Sequence, residues 1–73
     1  MAWSISMNRL AIIIAEMQTG EKFASGVGYI FNINDDTIIL IEPQQFKDGR
    51  WMKMNQRFLK IELGKIKKVR GIL

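Results

Sequence analysis

The chain contains no cysteine and no histidine, and each absence removes a class of chemistry. Without cysteine there is no disulfide framework and no thiolate nucleophile; without histidine the commonest zinc ligand and a ready general base are missing too. Ser4, Ser6, Ser25 and the threonines have no evident base beside them, so no catalytic residue is expected and the chain reads as non-enzymatic. The acids do not fill the gap. Asp35-Asp36 lacks the spaced oxygen ligands of a calcium loop, and Gly26-Val27-Gly28 lacks the third glycine or the lysine of a phosphate loop. Neither a metal nor a cofactor is expected. Hydrophobic runs are short as well: Leu10 to Ala15 falls far below the roughly 18 residues of a membrane span, so no membrane insertion is expected. The opening MAWSISMNRL lacks the basic start and cleavage site of a secretory signal, and the missing cysteines suit a reducing interior. A cytoplasmic location is the expectation.

What is present is one small domain of 73 residues, a size that buries only about 60% of the surface of its unfolded chain. Disulfides and histidine-held zinc being excluded, oligomerisation is the remaining source of extra stability, and a hydrophobic content of 48% on so small an interior leaves apolar side chains for subunit contacts. A homo-oligomer is expected. Charge is divided unevenly. Residues 1–46 hold Arg9 and Lys22 against five acids, a net of −3, whereas from Lys47 onward nine cations face Asp48 and Glu62, a net of +7. Such asymmetry suits contact with a polyanion, whose counterions are released when lysine and arginine replace them; each lysine taken singly also serves as a solvated guard on a strand edge.

The stretch Thr19 to Glu42 carries the clearest structural signal. Phe23, Val27, Tyr29, Phe31 and Ile33 share one alternating phase, the period of a strand with one buried face, so Tyr29 and Phe31 are expected in the core. Ala24, Gly26, Gly28 and Asn32 occupy the other face, where the two glycines mark a sharp bend or a close backbone approach. Asn34-Asp35-Asp36 are turn formers, and Thr37 to Ile41 reads as a central strand buried on both faces. Five strands follow from the whole pattern: Asn8 to Met17, Lys22 to Asn32, Thr37 to Glu42 with a possible run to Phe46, Arg50 to Leu63 with a bulge near Asn55-Gln56, and Ile66 to Val69. Pro43 stops the third strand or puts it at an edge, Lys47-Asp48-Gly49 makes a hairpin turn with a bulge, and Gly64-Lys65 breaks the chain before the last strand. Ala2 to Met7 forms an added strand or a short helix. Trp51, Met52 and Met54 read as packing or as an adaptable partner surface, and Trp3 as an anchor for the amino-terminal segment or part of an exposed patch.

Five short strands with the second bent at glycines resemble the Sm-like (LSm) family of RNA-binding ring proteins, over most of the chain. In that family's first motif a glycine turn leads into a curved strand, an aspartate and then an asparagine. Here Gly20 and Gly26 take the glycine positions with one extra residue between them, Asn32 falls where the aspartate stands, and Asp36 falls where the asparagine stands, so acid and amide are exchanged. For the second motif, Val69-Arg70-Gly71 matches by letters with too little chain behind it, while Ile61 to Ile66 fits by structure with Leu63 in place of the arginine and Lys65 as the nearest cation. The resemblance implies an all-β fold, a small, strongly bent, five-stranded antiparallel barrel. It implies a homo-oligomeric ring of five to seven subunits, in which strand four of one copy pairs with strand five of the next. It further implies single-stranded RNA at the pore rim, with Asn32 and Asp36 on base edges, Asn34 at the loop tip, and Lys65 or Arg70 supplying a cation. The competing reading is a structural or protein-interaction barrel, a phage-type assembly component or SH3-like adaptor, that binds no RNA.

Overall fold

A computed structural model describes residues 12–72 and is all-β, apart from one turn of 3-10 helix. Its strands are β1 (Ile12–Met17), β2 (Lys22–Asn32), β3 (Thr37–Lys47), β4 (Arg50–Lys53), β5 (Phe58–Glu62) and β6 (Ile66–Ile72), with the 3-10 turn at Leu63–Lys65 between the last two. The segment Ala2 to Met7, Trp3, and the Asn8 start of the first expected strand lie outside the described residues. All pairings are antiparallel, in the order β4-β3-β2-β1-β6, with β5 also paired to β3.

Alternation builds the core from one face of this sheet. Ile13 and Ala15 of β1, Ile38 and Leu40 of β3, and Ile61 of β5 are buried together, and Phe23, Tyr29, Leu59, Leu63 and Ile66 pack around them. Phe31, expected inside, is 47% exposed beyond the end of that cluster. The Thr37 to Ile41 run behaves largely as a central strand: β3 is paired on both sides, Ile38 and Leu40 are buried on one face, and on the other Thr37 is buried while Ile39 and Ile41 are half-buried.

A single line of irregularity crosses three strands and bends the sheet. On β2 the register shifts between Ser25 and Gly28, so Gly26 and Val27 together oppose Glu42 of β3. Glu42 adopts a left-handed backbone with φ 53°, and a Cβ on Gly26 would collide with the Glu42 carbonyl oxygen. Gly26 is therefore a close-approach glycine. The buried Ser25 hydroxyl accepts a hydrogen bond from the Ile13 backbone N–H at 2.9 Å, which ties β1 to β2 just beyond the Ile14–Ala24 pair. On the far side, residues 54–57 interrupt what the alternation predicts as one long strand, dividing it into β4 and β5. The break is stitched to the bend by Glu42 N–H donating to the Arg57 carbonyl (2.8 Å) and Met54 N–H donating to the Pro43 carbonyl (3.0 Å).

Two further expectations are corrected. Pro43 neither ends β3 nor sits on an outer edge: it is buried within the strand, opposite Ser25, and β3 continues to Lys47. The strand tolerates it because the bend has already interrupted the ladder at this point. The hairpin at residues 47–50 is a tight two-residue turn rather than a bulged one, with Asp48 (φ 53°) and Gly49 (φ 80°) both left-handed and Lys47 paired directly with Arg50.

The ladder stays open instead of closing into a barrel. Among the described residues no pairing joins β4 or β5 to β6, so these strands form the two sheet edges. They meet at one end only. The Leu63 N–H donates to the Asp36 carbonyl (2.8 Å) beside β3, and the Gln18 N–H donates to the Lys65 carbonyl (3.0 Å) beside β1. Three residues span no more than about 10 Å, so the 3-10 turn draws the two edges of a curled sheet towards each other.

Candidate nucleic-acid interface

The structure divides the residues singled out in the sequence between two places. Asn32 closes β2 and is engaged in its own turn: its Nδ2 donates to Asp35 Oδ2 (3.1 Å), and its Oδ1 accepts from the Asp35 N–H (3.4 Å). Asn34 is exposed at the loop tip, and Asp36, with φ 53°, turns the chain into β3. The bond from Leu63 to the Asp36 carbonyl holds this loop against the 3-10 turn that carries Lys65. Asn32, Asn34, Asp36 and Lys65 therefore share one end of the sheet.

Lys65 lies 3.8 Å from Glu62, with both side chains well exposed, a pair worth little in water. Asp35, Asp36 and Glu62 outnumber the one lysine here. Such an end is suited to accepting hydrogen bonds from base N–H groups rather than to gripping phosphate.

Arg70 stands elsewhere. It lies on β6 opposite Ile14 of β1, and its neighbours on that outer face come from four other strands. Glu16 of β1 is flanked by Lys22 of β2 on one side and Lys68 of β6 on the other, while Phe46 of β3 pairs with Trp51 of β4. Together they line a groove of about 260 Å³. The Phe46 and Trp51 rings meet edge to face, centroids 5.1 Å apart at 62°, and Lys22 Nζ lies 5.8 Å from the Phe46 centroid. Both rings keep more than a third of their surface exposed. Three cations and two aromatic rings thus surround one acid. Among the described residues none of the three cations comes within 4.0 Å of a carboxylate.

Lys22, Phe46 and Lys68 were not legible as site residues. Lys68 and Arg70 share a phase, as do Lys22 and Ala24, but only the register across five strands brings them to one groove beside Trp51. A second hollow sets two cations against one acid, with Lys53 3.8 Å and Arg57 3.9 Å from the Glu42 carboxylate, and has no aromatic ring in its lining. Among the described residues no group of three or more acids is placed to hold a metal ion, and no helix is long and apolar enough to cross a membrane. No protein-family model, curated protein or solved structure matches this chain.

Proposed function

We propose that the chain is a non-catalytic RNA-binding protein of Sm-like type, a small, bent, barrel-like sheet that acts in the cytoplasm as a homo-oligomeric ring of five to seven copies. Single-stranded RNA is held at the pore rim by Asn32, Asn34, Asp36 and Lys65. The observation that carries this reading is the bond between the Leu63 N–H and the Asp36 carbonyl. It sets the loop after the bent strand against the short turn around Gly64, the two segments that the resemblance assigns to RNA. Two unpartnered edges, β5 on one side and β6 on the other, suit head-to-tail pairing that closes into a ring. Arg70, on the sheet face, stands apart from this rim.

A protein-interaction barrel is the second reading, favoured by the exposure of Phe31 and Ile33 at the same end. Fluorescence anisotropy of labelled uridine-rich and adenine-rich strands at two salt concentrations separates the two. RNA binding weakens as salt rises, and Lys65→Glu lowers affinity several-fold while light scattering shows an unchanged oligomer. An intact oligomer that binds neither strand at low salt excludes the RNA reading and leaves the protein-interaction barrel.

A further inference from the structure

We infer that the groove between Phe46, Trp51, Lys22, Lys68 and Arg70 is a binding site for single-stranded nucleic acid, one that stacks an unpaired base on the aromatic pair and neutralises its phosphates. The site is separate from the loop-end residues of the proposed rim and requires neither the ring nor the family resemblance.

Three features point to this ligand rather than another. A shallow groove of about 260 Å³ lies just below the range of roughly 300–1,000 Å³ typical of pockets that enclose a small molecule. It suits one flat ring system laid against a surface. The aromatic pair is fixed by the tight Asp48-Gly49 hairpin, which places Phe46 and Trp51 as direct cross-strand partners, each with more than a third of its surface exposed. Aromatic faces offered in this way are sequence-tolerant platforms, because every base has a π-face. The cations stand on two strands, Lys22 on β2 next to Phe46 and Lys68 and Arg70 on β6 beyond Glu16, so a sugar-phosphate backbone that crosses the sheet away from the stacked base meets charge along its path. Glu16, between Lys22 and Lys68, keeps the groove from being a uniform anion trap and is placed to accept a hydrogen bond from a base N–H.

Trp51 is its own reporter. Trp3→Phe leaves it as the only tryptophan, and its emission is followed during titration with oligouridylate, inorganic polyphosphate and polyglutamate. Oligouridylate is expected to quench Trp51 in a salt-dependent manner, while the two polyanions without bases compete for the cations with little quenching. Because these variants remove the reporter, they are read by anisotropy of labelled oligouridylate: Trp51→Ala weakens binding by about tenfold, and Trp51→Phe, which keeps an aromatic face and guards against misfolding, restores most of it. Lys68→Gln lowers the slope of log affinity against log salt by about 0.7, the value for one phosphate contact on a single strand. Lys65→Glu leaves the quenching unchanged, so this site and the rim fail separately. Oligouridylate that binds without quenching Trp51, or with affinity indifferent to Trp51→Ala, overturns the assignment. Quenching by polyglutamate as strong as by oligouridylate overturns it too, and gives the groove to an acidic protein segment.

Discussion

Among the described non-glycine residues with a left-handed backbone, Glu42 is the one whose side chain suits that conformation least. Asp36 and Asp48 share its φ of 53°, but a short acid hydrogen-bonds locally and tolerates the left-handed region, whereas a longer side chain has no such compensation. The conformation is maintained because Gly26 and Val27 together oppose Glu42 and the Arg57 carbonyl accepts its N–H. Its ion pairs with Lys53 and Arg57, at 3.8 and 3.9 Å and largely exposed, add little. Replacing Glu42 with glycine is therefore expected to hold or raise the melting temperature, by up to about 1 kcal/mol in stability. Glu42→Val, which forces a β-branched side chain into the same region, is expected to lower it by about 1–2 kcal/mol. Thermal unfolding followed by circular dichroism distinguishes these; equal loss from both variants means that the carboxylate, not the backbone, is what the site needs.

At the scale of elements, the bend is a shared property of β2, β3 and the break between β4 and β5. Gly26 is its tightest point, since any Cβ there meets the Glu42 carbonyl, a backbone atom that cannot swing aside. Gly26→Ala is expected to cost about 2–3 kcal/mol, the upper part of the range for overpacking. In a domain of this size that is a drop of roughly 10–20 °C in melting temperature. Gly64→Ala, where nothing lies within 4 Å of the added carbon, is the matched control and should change little. The span of β2 and the special status of Gly26 were readable because alternation and glycine placement are local signals. The passage of β3 through Pro43 was not. Whether a proline is tolerated depends on whether the neighbouring strand needs its N–H, and the bulge opposite had already removed that need.

For the whole molecule, the deciding feature is that both sheet edges are unpaired among the described residues while exposed apolar side chains lie on them. Phe58 on β5 is 55% exposed and Val69 on β6 is 47% exposed. Pairing of β5 in one copy with β6 in the next would cover both. Light scattering is expected to give five to seven times the 8.5 kDa mass of the chain, and Phe58→Glu to shift that mass towards the monomer. A wild-type protein that stays monomeric at micromolar concentration removes the ring from the proposed function. It leaves the groove assignment intact, because all seven groove residues come from one chain.

Sequence alone determined the all-β class, the run of β2, the turn after it, and the short turn at Gly64 before the last strand. Each follows from side-chain alternation or turn chemistry within a few residues. It also determined what the chain lacks, the thiols and imidazoles on which so much site chemistry depends. Tertiary structure decided which cations stand together. Arg70 and Lys65 look equivalent as nearby basic residues, yet antiparallel pairing carries one to the outer sheet face beside Trp51 and the other to the loop end beside Asp36. Tertiary structure also left the ladder open where a closed barrel was expected. Strand existence is local, whereas register, bulges and edge pairing are settled only when non-neighbouring strands meet.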